Sequence, residues 1–203
     1  MRLIYGTGNP AKVKSMRVAL EPLGIDVVGV RALLADLPEI EENGTTPLEN
    51  ARIKALAYYK ILHQPVFACD SGLYIQGLPE HEQPGMHVRM VKGKRLNDAE
   101  MLAYYSIIAE RMGGRAQARY INGICVVLDE HTVYEHMELD ISGNAFYLVT
   151  EPHPRTEPGF PLDSISVDIA SGAYYYDNVR PQGDVGIAEH GFRQYFRSIL
   201  QIE

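Results

Sequence analysis

The residues best suited to chemistry stand together at Asp70-Ser71-Gly72. They follow a short apolar run at 66–69, which begins directly after Pro65. The run is too brief for a helix and therefore predicts a buried strand that stops at Asp70. A carboxylate at the end of a strand, followed by a hydroxyl and a glycine, is typical of sites that α/β proteins present above a sheet. The alternative is a turn in which Asp70 only accepts hydrogen bonds from backbone amides.

A second acidic group lies earlier in the chain, in the loop that carries Glu39, Glu41 and Glu42. Lys54 follows about two turns into the next predicted helix. Divalent cations prefer hard oxygen ligands, so Glu42 and Asp70 are predicted to meet over such a cation. Glu39 and Glu41 are near enough in sequence to replace Glu42. The alternative is a solvated loop with a surface lysine.

A glycine turn at 6–9 joins the first predicted strand to a helix that begins at Pro10. Asn9 is a good N-cap, and proline suits the first helical position. A strand, a glycine turn and a helix N-terminus form a layout that favours phosphate, and Lys12 adds positive charge there. The alternative is an ordinary strand-to-helix connection with solvated lysines.

Apolar periodicity and turn residues predict the elements that must position these groups. The predicted helices cover 10–23, 47–62, 98–112 and 192–200, with capping boxes at Thr46–Glu49 and Asn97–Glu100 for the middle two and His190 just ahead of the last. The predicted strands cover 3–5, 25–30, 66–69, 73–75, 115–128, 132–141, 146–149, 164–169 and 173–176, the fifth and sixth forming a hairpin.

Composition bounds the function. The chain has 203 residues, enough for one domain with a real core, and a formal net charge of −7, which argues against a general nucleic-acid binder. A small anionic ligand remains compatible if basic groups and a metal gather locally. Cys69 and Cys125 sit in apolar runs, which favours a reduced intracellular protein. No signal peptide or membrane-spanning run is visible, so we expect a cytoplasmic protein with no membrane or nucleic-acid partner.

In their order and spacing, four groups of residues resemble motifs of the inosine triphosphate pyrophosphatase family, which hydrolyses purine nucleoside triphosphates to the monophosphate and pyrophosphate. The matching positions are Thr7, Gly8, Asn9 and Lys12; Glu42, Gly44, Glu49, Asn50, Ala51, Lys54 and Ala55; Asp70, Ser71, Gly72 and Leu73; and Pro84, Gly85 and Arg89. The resemblance implies an α/β fold of two lobes around a long mixed β-sheet, with the active-site cleft between them. It also implies a single two-lobed domain over 1–203 and a homodimer.

The mechanism implied by the resemblance is metal-assisted attack of water on the α-phosphorus, with Mg²⁺ as cofactor. Glu42 and Asp70 would bind the metal, and Asp70 would also orient or deprotonate the water. The substrate-binding residues implied are Thr7, Gly8, Asn9, Lys12, Lys54, Ser71, Gly72, Arg89, Phe160, Asp163 and His190. Among them the cations offset phosphate charge and backbone amides of 7–9 and 71–72 hold phosphate oxygens. Phe160 would stack on the base, while Asp163 and His190 read its edge.

The second half of the chain departs from the family pattern. The motif Gly-Phe-Gly-Tyr-Asp-Pro is here 159–164 and keeps only Phe160 and Asp163 of its functional side chains, while Ser-His-Arg becomes Glu189-His190-Gly191. Val185 stands where the family pattern has a lysine, and Cys69 stands where it has an acidic residue. Arg193 is one candidate to replace the missing arginine; without it, the preference for inosine over adenosine triphosphate is expected to weaken.

Two other classes of protein share part of this pattern. The altered base-recognition motif is compatible with a nucleotide-binding sensor or interaction module that has lost turnover. Retention of Glu42, Lys54 and Asp70 favours the enzyme, since a module needs no water-activating carboxylate beside the phosphates. A Rossmann-type dehydrogenase is excluded because no Gly-x-Gly-x-x-Gly follows the first strand.

Overall fold

The computed structural model describes residues 1–178 and 186–202, and four helices and nine strands lie within them. The helices are α1 (Pro10–Leu20), α2 (Pro47–Leu62), α3 (Asp98–Arg111) and α4 (Ile187–Leu200). The strands are β1 (Arg2–Tyr5), β2 (Asp26–Gly29), β3 (Val66–Ile75), β4 (Met90–Val91), β5 (Lys94–Arg95), β6 (Arg115–Val127), β7 (Val133–His136), β8 (Phe146–Val149) and β9 (Ser166–Asp168). None of the helices described is both long and apolar enough to cross a membrane.

Seven of the strands form one mixed sheet in the order β2-β1-β3-β6-β8-β9, with β7 paired to β6. β1 runs parallel to β2 and β3, whereas β6 is antiparallel to β7 and β8, and β8 to β9. The two short strands β4 and β5 form a separate antiparallel pair. The predicted α/β fold with a long mixed sheet is confirmed.

Contacts along the described chain define two compact units, 1–71 with 121–143 and 186–202, and 72–120 with 144–178. The first unit contains α1, α2 and α4; the second contains α3. The expected cleft stays a prediction.

In the first unit, β3 is buried on both faces, and its alternation decides which side chain faces which helix. Phe67 and Cys69 join a core cluster with residues of α1 and α4, including Leu20 and Phe196. Ala68 packs instead with Ala51 and Ala55 of α2. Asp70 is two residues on from Ala68, so it falls on the face of the strand that α2 covers.

The second unit has its own core, in which α3 packs on the strands that follow it. Met101, Tyr105 and Ile108 of α3 lie in one cluster with Ala118 of β6 and Leu148 of β8. These side chains are at most 3% exposed. The helical spacing of the three α3 residues gives the single apolar stripe that this burial requires.

The helix starts follow the sequence. The Asn9 side chain accepts from the amides of Ala11 and Lys12, and the Thr46 side chain accepts from the Glu49 amide. Asn97 and Glu100 form the full reciprocal capping box. At the start of α2, the Glu49 carboxylate accepts hydrogen bonds from the amide and the hydroxyl of Thr45.

The structure corrects several predicted boundaries. β3 is one strand of ten residues, so Asp70 lies within it and not at its end. The second hairpin strand stops at His136, and 173–176 contributes only a bridge from Tyr174 to Val167. α4 begins at Ile187, which puts His190 in its first turn. Strand pairing across the sheet decides the strand ends, and local residue types carry no record of the partner strand.

Candidate active site

Two carboxylates converge on one lysine in the first unit. The Lys54 Nζ lies 2.8 Å from the Glu42 Oε2 and 3.4 Å from the Asp70 Oδ1. The Lys54 and Asp70 side chains are 14% and 17% exposed, whereas Glu42 is 41% exposed. Lys54 reaches Asp70 because both project from elements that face each other, the α2 face next to Ala55 and the β3 face next to Ala68.

This pairing keeps the Lys54 amine charged although it is largely buried. Burial is the largest single influence and acts to lower the pKa of Lys54, but attraction to Asp70 and the hydrogen bond and charge of Glu42 together outweigh it. The net result is a raised pKa. A charged amine with two carboxylate partners is therefore a fixed feature of the site.

The loop that carries Glu42 is held beside α2 by its own motif. The Asn50 side chain, 3% exposed, accepts a 2.8 Å hydrogen bond from the Gly44 amide. A Cβ on Gly44 would stand 2.6 Å from the Glu49 Cβ and 2.7 Å from the Asn50 Oδ1. The glycine thus permits the close approach that places Glu42 over Lys54.

The donor set fits a magnesium ion that is bound together with a phosphate substrate. Among residues 1–178 and 186–202 there is no group of three His, Cys, Asp or Glu side chains able to hold a metal alone. Mg²⁺ commonly binds through one or two carboxylates and completes its shell with substrate phosphates and water. Glu42 and Asp70, drawn together by Lys54, supply such a pair. Glu39 and Glu41 are exposed on the same loop.

The glycine turn at 6–9 has the expected strand-to-helix layout but fewer available amides than expected. The Thr7 amide donates to the Tyr5 carbonyl, and the Asn9 amide donates to the Thr7 hydroxyl. The Gly8 amide has no acceptor among the described residues. A Cβ on Gly6 would stand 2.7 Å from the Tyr58 ring of α2, so the turn lies directly against that helix.

Lys12 forms no ion pair within the described part of the chain. It lies near the Cys69 thiol: burial raises the pKa of Cys69 to about 11, and the charge of Lys12 acts against that rise. The thiol is neutral near neutral pH and provides no negative charge where the family pattern has an acidic residue. Lys12 therefore keeps its charge available for a ligand.

Arg31 also belongs to this end of the first unit, and sequence reasoning missed it. Its Nε donates a 3.0 Å hydrogen bond to the Gly8 carbonyl. Its position in the sequence could have indicated this. Arg31 follows β2, which runs parallel to β1, so the segments after the two strands lie at the same edge of the sheet.

In the second unit, Arg89 is already paired. Its Nη1 lies 2.7 Å from the Asp98 Oδ1, and the Gly159 amide donates to the other oxygen of the same carboxylate at 3.5 Å. Asp98 thus connects Arg89 to the loop that carries Phe160. Gly72 lies at the start of this unit, next to the Tyr74 ring. A Cβ on Gly72 would stand 2.9 Å from the Tyr74 Cε2.

Phe160 and Asp163 are half-buried around a short helical turn, Pro161–Ile165. Burial is the main cause of a raised pKa in the Tyr120 and Tyr176 hydroxyls, and the charge of Asp163 raises both further. Asp163 therefore lies near two phenols in the second unit.

The substituted motif on α4 is anchored to α1 within the first unit. The Ser15 hydroxyl donates to the Glu189 carboxylate at 2.8 Å, and the Arg193 Nε donates to the Ala19 carbonyl at 2.8 Å. Arg193 thus caps the end of α1, and the structure gives no support for it as the replacement arginine. His190 is exposed, with its ring 3.4 Å from the Gln194 side chain. Val185 lies outside the described residues.

A surface groove of about 260 Å³ lies in the second unit. It is lined by 74–76, 117–119 and Ala145. No site residue expected from the sequence lines it.

The fold and this geometry define an α/β protein whose carboxylate–lysine cluster lies close to a phosphate-type turn. A family model described as the Ham1 family matches residues 3–167. The dITP/XTP pyrophosphatase of Bacillus subtilis is 33% identical over 170 residues, covering 81% of this chain and 79% of that protein. The enzyme of the same name from Symbiobacterium thermophilum is 38% identical over 128 residues. That match covers 63% of this chain but only 61% of its relative's length.

A solved structure of a HAM1 protein from Coxiella burnetii shares the fold, with a TM-score of 0.71, 23% identity and 99% coverage of both chains. Together, the family model and the Bacillus subtilis relative show that the chain belongs to the Ham1 family. The resemblance to nucleoside triphosphate pyrophosphatases found in the motifs is thereby confirmed.

Proposed function

We propose that this chain hydrolyses non-standard purine nucleoside triphosphates, of the inosine or xanthosine type, to the monophosphate and pyrophosphate. The observation that carries the proposal is the cluster of Glu42, Lys54 and Asp70, two carboxylates 2.8 and 3.4 Å from one buried amine. The names of the relatives, dITP/XTP pyrophosphatase, support the substrate class.

In the proposed reaction, Asp70 orients the attacking water and accepts its proton, a role that requires a carboxylate fixed in position. Lys54 fixes it and offsets negative charge that grows on the phosphates as the pyrophosphate leaves. Lys12, with no ion pair in the described chain, neutralises the polyphosphate, and the Gly8 amide donates to a phosphate oxygen. Thr7 and Asn9 hold the turn in shape, and Ser71 and Gly72 continue β3 past Asp70.

Magnesium is the cofactor of this proposal, held by Glu42 and Asp70. When bound, it neutralises phosphate oxygens and helps to orient the water. Glu39 or Glu41 replaces Glu42 only if the loop rearranges, because Glu42 is the acidic residue of this loop that bonds Lys54.

For the base, we propose stacking on Phe160 and polar contacts from Asp163 and His190. Arg89 binds the phosphates only if its ion pair with Asp98 breaks and the substrate takes the place of Asp98. Preference for inosine over adenosine triphosphate is weaker than is usual for the family, because Glu189 and Arg193 bond α1. We further propose a single catalytic domain over 1–203, a cytoplasmic location and a homodimer, all of which rest on the resemblance and composition.

The decisive experiment measures pyrophosphate release from a panel of inosine, xanthosine, guanosine, adenosine and pyrimidine nucleoside triphosphates. We expect release from the first two with Mg²⁺ and none after chelation with EDTA. A chain that binds these nucleotides without releasing pyrophosphate would be the sensor module, and the proposal would be wrong.

A further inference from the structure

Arg31 lies beside the glycine turn at 6–9. It lies in the short helical turn Val30–Ala32, directly after β2. The register pairs Tyr5 with Gly29, so Gly6 and Val30 leave the sheet side by side. The Arg31 side chain then reaches the turn, with its Nε 3.0 Å from the Gly8 carbonyl.

The guanidinium of Arg31 packs closely against the turn. A Cβ on Gly8 would stand 3.3 Å from the Arg31 Nη2 and 3.4 Å from its Nε. Any larger residue at position 8 would therefore press on the guanidinium and on the Leu37 side chain, whose Cδ1 would stand 3.1 Å from the Cβ. Arg31 fixes the carbonyl side of Gly8 while the Gly8 amide has no acceptor among the described residues.

Most of the hydrogen-bonding capacity of Arg31 is unused. A guanidinium carries five N–H donors, and within the part of the chain that is described only the Nε is engaged. No carboxylate of that part lies within ion-pair distance of Arg31. By contrast, Lys54 has two carboxylate partners and Arg89 has one.

The Tyr58 phenol lies near both this arginine and Lys54 of the carboxylate cluster. Lys54 and Tyr58 are one turn apart on α2, and the Tyr58 ring contacts Gly6. Burial raises the pKa of the Tyr58 hydroxyl, while the charges of Lys54 and Arg31 both act against that rise, so both cations lie near this phenol.

We propose that Arg31 is a substrate-binding residue that contacts the terminal phosphates, those that leave as pyrophosphate. This assignment rests on the proposed function, in which the α-phosphorus lies at Asp70. A planar guanidinium with paired free donors matches two oxygens of a phosphate group, which suits it to the far end of the chain of phosphates. With Lys12, it gives the turn two unneutralised cations in a chain whose net charge is −7.

The test compares Arg31→Ala with wild type by calorimetric titration with inorganic tripolyphosphate in the presence of Mg²⁺. We expect the Kd to rise about ten- to hundredfold, the usual effect of one charge-assisted contact. Inhibition by inosine monophosphate, which lacks the terminal phosphates, should change less than about twofold. A role confined to holding the Gly8 turn would weaken both ligands alike, and that result would overturn the proposal.

Lys60→Ala is the matched control, since Lys60 is an exposed cation at the far end of α2 and this substitution should leave tripolyphosphate binding unchanged.

Arg31→Lys, which keeps the charge, should recover part of the affinity. If Arg31→Ala fails to fold, Arg31→Gln replaces it. Tripolyphosphate binding that is unchanged in the neutral variant, or absent in wild type, would contradict the proposal. Failure of the proposed function shows separately, as wild type that binds tripolyphosphate but releases no pyrophosphate.

Discussion

At the scale of single residues, the position of the Asp70 carboxylate is set by its place in β3 and by its contact with Lys54. Strand alternation turns it toward α2, and Lys54 holds it at 3.4 Å. Because Lys54 also bonds Glu42 at 2.8 Å, loss of the Asp70 charge leaves the buried amine with a partner. We therefore expect the site to tolerate neutralisation of Asp70 structurally while losing the proton acceptor that we propose.

Asp70→Asn is accordingly expected to fold normally, bind nucleotide nearly as wild type and lose turnover by about two to four orders of magnitude. Steady-state kinetics and a thermal melt measure the two parts. Asp26→Asn is the matched control, because Asp26 pairs only at long range with Arg2 on the surface. Retention of most of the rate by Asp70→Asn would show that Asp70 is a structural strand residue.

At the scale of elements, the contact between α4 and its neighbours requires glycine at position 191, where the resemblance expects the arginine of the family motif. A Cβ on Gly191 would overlap the carbonyl of Asp140, in the short helical turn Leu139–Ile141. The His136 ring bonds the Asp140 carboxylate at 2.7 Å and stacks on Tyr195 of α4, which ties the turn to the helix. No side chain fits at position 191 while this contact exists.

Gly191→Arg, which restores the family residue, is therefore expected to destabilise the protein by more than about 2 kcal/mol and not to sharpen base selectivity. Denaturant unfolding and the kcat/KM ratio for inosine and adenosine triphosphates measure these effects. Glu189→Ser, which restores the neighbouring family residue, should cost far less because only one hydrogen bond to Ser15 is lost. A stable, more selective Gly191→Arg enzyme would show that the α4 contact is adaptable.

At the scale of the whole molecule, several buried groups titrate in the same direction. Burial raises the pKa of Cys69 to about 11 and that of Cys125 to about 12, from an ordinary 9.0. Burial also raises the pKa of Tyr5, and ion pairing raises that of Lys54 despite its burial. In every case the folded state binds its proton more tightly than the unfolded chain does.

The stabilisation from the two thiols is complete below pH 9 and is lost as the pH rises through about 11 and 12. We expect the free energy of unfolding, measured with denaturant at successive pH values, to fall above pH 9. Cys69→Ala should flatten the early part of that fall. An unfolding free energy that stays constant from pH 9 to 11 would contradict the raised thiol pKa values.

The homodimer is a further prediction for the whole molecule, drawn from the family. Sedimentation equilibrium at micromolar concentration should give a mass near twice that of the 22.7 kDa chain. A monomer would contradict this prediction without bearing on Asp70. Exposed apolar side chains such as Leu139 and Ile187, 57% and 54% exposed, are not evidence on their own, since scattered examples are normal.

The sequence by itself determined the features that depend on short-range chemistry. Caps at Asn9, Thr46 and Asn97, the α/β class and the family could be read from residue types and spacing, because caps and motifs are local. The sequence also selected Glu42, Lys54 and Asp70 as members of one site. It did so through motif order and not through any distance.

Only the tertiary structure decided how these groups meet. The continuity of β3 through Asp70 depends on strand pairing, which residue types do not encode locally. The capping of α1 by Arg193 and the position of Arg31 over Gly8 join residues distant in the chain, and the pairing of Arg89 with Asp98 joins a loop to the start of α3. Such contacts arise from the packing of whole elements, so which cations remain available for phosphate became visible only in the folded chain.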